Sequence, residues 1–157
     1  MTEIYRKCVA IFLVKSDAGL AKKIFAAERI YMPEAWQVPQ GGVDPHEQYQ
    51  EAAVRELYEE TGIRSIKIAG CTNGSYRYDY PDFLKDIIYK KYGMVYAGQD
   101  VNFFLFEFCG SDDEINLQIS ENQEFSRWRW MSVEDLLAAI VDFKKKAFLS
   151  AAKELQL

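Results

Sequence analysis

Residues 41–63 read GGVDPHEQYQEAAVRELYEETGI. Both ends of this stretch carry stop signals. Asp44 is a strong helix N-cap residue, Pro45 suits the first helical position, and Glu47 lies three residues after Asp44, the spacing of a capping box. Gly62 follows the last helix-forming residue, where a left-handed cap is wanted. A helix over residues 45–61 is therefore expected. At 100° per residue Ala53, Val54, Leu57 and Thr61 fall into one apolar stripe that should face a sheet. Glu56 and Glu60, four residues apart, lie together beside that stripe, with Glu59 next to them.

The flanks supply the sheet. Upstream, CVAIFLV at 8–14 is a continuous apolar run of the kind a doubly buried strand needs, and IFAAERI at 24–30 is a second candidate. Turn residues in KSDAGLAK at 15–22 make a hairpin of the two. The stretch 31–43, with two prolines and a glycine pair, reads as a loop around a short extended segment. Downstream, residues 66–71, 74–80, 101–109 and 125–131 are strand candidates, and FSRWRWM at 125–131 alternates as a half-buried strand does. PDFLKDIIYKKYG at 81–93 fits either a partly ordered loop or a short helix. Ser132 caps a helix over about 133–141, and a last helix spans about 144–155. The fold class is α+β, with helices packed on a mixed sheet, and the 157 residues amount to one domain, 1–157.

Composition narrows the function. Apolar residues make up 49% of the chain and charged residues 27%, an ordinary balance for a protein with a real core. Ten Tyr, ten Phe and three Trp supply core material and base-stacking surfaces alike; Trp36, Trp128 and Trp130 are assigned to the core. The net charge of −5 argues against broad binding to duplex DNA, which favours a basic excess. Cys8, Cys71 and Cys109 are odd in number and far apart, so reduced, buried thiols in a reducing cytoplasm are expected. MTEIYRK at the N-terminus is not followed by a signal-peptide core, and no apolar run is long enough to span a membrane.

Three carboxylates crowded at the edge of a half-buried helix repel one another. In a low dielectric the repulsion grows, and a hard divalent cation would reverse its sign. A bare ExxEE is ordinarily a solvated acidic face. Here, however, Gly41 is followed at fixed intervals by Glu47, Arg55, Glu56, Leu57, Glu59, Glu60, Gly62 and Ile63. This spacing fills every fixed position of G-x5-E-x7-R-E-U-x-E-E-x-G-U, with U a bulky aliphatic, and so resembles the box of the Nudix hydrolases.

The resemblance implies an α/β/α sandwich with a curved mixed sheet and a catalytic loop–helix–loop. It implies that Glu56, Glu59 and Glu60 hold Mg²⁺, with Mn²⁺ as a substitute, that the Gly41 carbonyl is a further ligand, and that Arg55 pairs with Glu47 or a neighbouring carboxylate to orient the set. The likeness runs on through WQVPQGG at 36–42, YRYDYP at 76–81, GQ at 98–99, EINLQ at 114–118, EFSRWRWMS at 124–132 and DFKKKAF at 142–148. These segments are similar to bacterial RNA 5′-pyrophosphohydrolases and their relatives that hydrolyse dinucleoside polyphosphates. That likeness makes Glu124 an additional metal ligand or base and Arg29 a phosphate contact. It makes Phe143 a base-stacking residue and Arg6, Lys144 and Gln40 further substrate contacts. Two departures weaken the polyphosphate clamp: Lys7 follows Tyr5-Arg6 where the family often has proline, and Glu28-Arg29 stands where two basic residues are common. His46, the only histidine, reads as a surface residue.

The implied activity is Mg²⁺-dependent hydrolysis of a phosphoanhydride bond in the cytoplasm. Removal of pyrophosphate from 5′-triphosphorylated RNA leads. Hydrolysis of a dinucleoside polyphosphate such as diadenosine tetraphosphate is the alternative. A non-catalytic nucleotide-sensing domain is the rival from another class, and the intact carboxylate set argues against it. A serine or cysteine hydrolase is disfavoured by the single histidine and the absence of a nucleophile-elbow motif. The sequence names no protein partner.

Overall fold

A computed structural model describes residues 3–16, 21–32 and 34–157. Its elements are β1 (Tyr5–Lys15), β2 (Lys23–Arg29), β3 (Trp36–Gln37), β4 (Gln40–Gly42), α1 (Tyr49–Thr61), β5 (Ile66–Cys71), β6 (Tyr76–Asp79), α2 (Asp82–Tyr92), β7 (Gly98–Phe108), β8 (Phe125–Met131), α3 (Val133–Ala139) and α4 (Asp142–Glu154). The eight strands join in one mixed sheet whose main path is β3-β2-β1-β7-β5. β4 adds to β1, β6 to β7 and β8 to β2. β1 and β7 run parallel from Tyr5↔Gly98 to Val14↔Glu107, and all other pairs are antiparallel. The β1–β2 hairpin is formed at Val14↔Ile24 and Lys15↔Lys23. Residues 17–20 of its expected turn lie outside the described residues.

β1 is apolar and buried from Cys8 to Val14 because both faces of that stretch are covered. Cys8, Ala10, Phe12 and Val14 pack toward Leu136, Phe148 and Ala151 of α3 and α4. Val9, Ile11 and Leu13 pack toward Ala52, Ala53 and Leu57 of α1. The result is an α/β/α sandwich. Among the described residues no helix is long and apolar enough to cross a membrane.

Several boundaries differ from the sequence reading. α1 begins at Tyr49, not at residue 45. Its N-cap is Gln48, which makes no side-chain cap bond. Asp44–Glu47 is instead a turn, in which the Glu47 N–H donates to the Asp44 carbonyl at 3.0 Å and the Asp44 N–H donates to Glu47 Oε1 at 3.0 Å. His46 stands at φ 69, a left-handed position that no helical turn allows. The capping-box signature is satisfied locally, but Arg55 draws Glu47 away from the helix axis. The buried stripe contains Ala52, Ala53, Leu57, Glu60 and Thr61, while Val54 is exposed. The stripe has turned to place Glu60 itself on the inner face. The ambiguous segment at 81–93 is a full helix. The strands expected at 74–80 and 101–109 run over 76–79 and 98–108, and the last two helices meet at an Ile140–Val141 break. Only Cys8 is buried; Cys71 and Cys109 are exposed, and all three are free. Trp36 is buried, but Trp128 and Trp130 are only partly covered, stacked at the rim of the core around Phe25 and Phe108.

Candidate active site

Arg55 organises the loop before α1. Its Nε donates to Glu47 Oε2 at 2.8 Å, and its Nη2 donates to Glu47 Oε1 and to the Gly42 carbonyl, both at 2.9 Å. Its Nη1 donates to Glu56 Oε1 at 2.9 Å and to Glu59 Oε2 at 3.2 Å. One guanidinium therefore ties the loop to the helix and orients three carboxylates, a task that needs the planar fork of arginine. The hydrogen bonds from Arg55 hold the Glu47 carboxyl below its ordinary range.

Two glycines make room. A Cβ on Gly41 would fall inside the Glu56 carboxyl group, and one on Gly42 would meet the Arg6 guanidinium. The strand β4 is thus glycine-rich because side chains from two other elements cross it closely.

Glu60 is the most unusual carboxylate of the set. It is 9% exposed on the inner face of α1, and its Oε2 has no hydrogen-bond partner. Burial pushes its carboxyl well above the ordinary range. Glu56 and Glu124 push the same way, while a Gln40 backbone bond and Arg29 pull it back. Burial also raises Glu56, against the pull of Arg55. A buried polar atom without a partner is costly, and like charges around it add to the cost. A bound cation would remove both penalties, and an all-oxygen donor set suits a hard divalent ion. Among the described residues no three acidic side chains already converge as a closed cage. Arg55 holds Glu56 and Glu59, while Glu60 Oε2 has no donor of its own.

These groups line one cleft of about 760 Å³. Gly41, Glu56, Glu59, Glu60, Glu124, Arg6, Arg29, Gln40, Phe143 and Lys144 all border it. Arg55 does not; it acts from behind. Arg29 reaches the cleft from the end of β2, where Ser126 is an extra residue on β8 and the register shifts between Glu28 and Arg29. Such a bulge bends a strand and re-aims its side chains. Glu28 is held at 2.8 Å by Arg127, so its charge is neutralised beside the cleft.

Lys144 is not a surface cation. It is 5% exposed in the first turn of α4, donates to Gln40 Oε1 at 3.4 Å, and lies near the rings of Tyr78 and Phe143. Burial, with Arg29 nearby, pushes its amine down to about 7. Gln40 Nε2 donates in turn to Gln99 Oε1 at 3.3 Å, and the Tyr78 hydroxyl donates to the same oxygen. The sequence motifs containing Tyr78 and Gln99 give no sign of this buried polar chain. Phe143 packs edge-on against Tyr78 at 5.7 Å between centroids. Other cleft residues that the sequence reading did not assign include Tyr31, Met32 and residues of α2.

The NUDIX domain model matches residues 4–151. The chain belongs to the Nudix family. It is 41% identical over 147 residues to an RNA pyrophosphohydrolase of Cereibacter sphaeroides, covering 92% of this chain and 86% of that protein. An RNA pyrophosphohydrolase of a Wolbachia pipientis strain is 35% identical over 150 residues, covering 96% and 88%. Among solved structures, an Ap4A hydrolase of C. elegans superposes with a TM-score of 0.68 at 20% identity, covering 96% of this chain and 98% of that one, a likeness of fold. Nudix hydrolases generally use divalent metal ions.

Proposed function

We propose that this Nudix hydrolase removes pyrophosphate from the 5′-triphosphate end of RNA, leaving a 5′-monophosphate, with Mg²⁺ as its ion and the cytoplasm as its compartment. It is a hydrolase acting on phosphoanhydride bonds, as its domain and its RNA pyrophosphohydrolase relatives indicate. The observation that carries the reading is one cleft that holds a buried, partnerless carboxylate of Glu60 among Glu56 and Glu124, and cations at Arg6 and Arg29.

In this reading Glu56, Glu59, Glu60 and Glu124, with the Gly41 carbonyl, hold the ion. When bound, Mg²⁺ (or Mn²⁺) supplies charge neutralisation at the phosphoryl oxygens and acidifies water. Arg55 keeps Glu47, Glu56 and Glu59 in fixed orientation through its five donated bonds. Arg29 and Arg6 meet the polyphosphate, and Gln40 with Lys144 positions it from the floor of the cleft. Phe143 offers its ring to a base. One of the cleft carboxylates takes the proton of the attacking water.

The same residues would serve a dinucleoside polyphosphate. Equal concentrations of 5′-triphosphorylated RNA and diadenosine tetraphosphate, each with Mg²⁺, separate the two. Faster turnover of the RNA is expected; faster cleavage of the dinucleotide would move the function to nucleotide clearance.

A further inference from the structure

α2 links β6 to β7 in the chain and buries none of its residues completely. Leu84 and Ile88, one turn apart, pack against the core. Tyr92 is the next residue of that stripe and the last of the helix, whose cap Gly93 takes a left-handed φ of 70. Tyr92 packs on a cation instead. The Arg6 guanidinium lies over its ring, 4.3 Å from the centroid, and Tyr96 meets the ring edge-on at 6.3 Å. Arg6 reaches it from β1, where it pairs with Gln99 of β7. On the way its guanidinium passes Gly42 so closely that a Cβ there would lie 2.9 Å from Cζ. Arg6, Gly42 and Tyr92 all border the cleft.

Arg6 has no acidic partner within 4.0 Å among the described residues. Glu56 is nevertheless near enough for the two charges to act on one another. A loose arginine beside Glu56, Glu59 and Glu60 would be drawn onto one of them. That pairing would cancel the charge a phosphate needs and would compete with a metal ion for the same oxygens. An aromatic ring attracts a guanidinium through its quadrupole and leaves the positive charge intact. It also fixes in advance a long side chain that otherwise loses rotamer freedom on binding. On the hydrolase reading above, in which Arg6 meets the polyphosphate, we infer that Tyr92 is a positioning residue: its ring holds the Arg6 guanidinium beside Gly42, apart from the metal-binding carboxylates and free for a substrate phosphate. The last residue of α2 thereby acts on the reaction through Arg6.

The test is a double-mutant cycle read by steady-state kinetics with Mg²⁺, on 5′-triphosphorylated RNA and on diadenosine tetraphosphate. Tyr92→Leu should raise KM about tenfold and leave kcat within about twofold, because it weakens a contact made in ground state and transition state alike. Tyr92→Phe keeps the ring and should stay within about twofold of the wild type in both constants. In an Arg6→Gln background Tyr92→Leu should change nothing further, because the group through which it acts is gone. An equally large loss in that background would overturn the inference, since Tyr92 would then act on the substrate or the fold by itself. So would a Tyr92→Phe variant as poor as Tyr92→Leu. If Tyr92→Leu melts early, Tyr92→Met takes its place in the cycle and the same outcomes decide. Turnover of the dinucleotide alone would overturn the RNA reading, and the cycle on that substrate would still decide the role of Tyr92.

Discussion

In the proposed site Glu60 ties stability and chemistry to one carboxyl group. Its raised protonation range means that the folded chain binds this proton more tightly than the unfolded chain does. Stability is therefore highest below the unfolded value, about 4.3, and falls as pH rises toward the folded value. In chelator, the thermal midpoint of the wild type should drop relative to Glu60→Gln as pH rises from about 4 to about 7. A constant difference across that range would mean that Glu60 is ionised and satisfied without metal. Gly41 is the second residue of this kind. Gly41→Ala would push the Glu56 carboxyl group out of place, because the new methyl occupies its position. Turnover should fall on the order of 10²-fold with little change in melting temperature, since a small misplacement of a reacting group costs about that much. Retention of full turnover would show that Glu56 need not sit against β4.

Among the elements, α1 was the most legible in sequence, yet its start was misread. Asp44, Pro45 and Glu47 carry every local sign of a helix start, but the two-pronged bond from Arg55 to Glu47 fixes that segment as a turn. Local capping rules do not register a partner eight residues away. The far end was read correctly, because Gly62 at φ 75 needs only its own backbone to be understood. The Gly62 N–H donates to the Tyr58 carbonyl at 2.8 Å, and Asn116 packs over the cap. Gly62→Ala should cost about 1 kcal/mol of stability, read by urea unfolding, with specific activity unchanged. No loss would mean that the cap relaxes without strain. α2 was ambiguous for the opposite reason. Leu84 and Ile88 pack against the core while Phe83 and Ile87 stay exposed, so periodicity could not say what its apolar residues face. Lys144 shows the same limit, since nothing in DFKKKAF distinguishes the lysine that α4 buries from its two solvated neighbours.

At the scale of the whole molecule, the sandwich brings together residues that lie far apart in the chain. β1 and β4 supply Arg6 and Gly41, α1 supplies its carboxylates, the β2–β8 bulge brings Arg29 beside Glu124, and α4 closes the floor with Phe143 and Lys144. The carboxylates expected from the family spacing in 41–63, and the Arg6, Arg29 and Lys144 expected from the longer resemblance, all border one cleft. The buried polar chain and the α2 wall depend on tertiary contacts that no local pattern encodes. In the proposed function Glu60 completes a divalent-cation site that drives hydrolysis of a triphosphate end. The measurement that tests it most directly is pyrophosphate release from 5′-triphosphorylated RNA as Mg²⁺ is titrated, for the wild type and for Glu60→Gln. The wild type should be inactive in chelator and saturate with Mg²⁺, and the variant should be slower by at least about 10²-fold at every concentration. Near-normal release by Glu60→Gln, or release that ignores Mg²⁺, would contradict it.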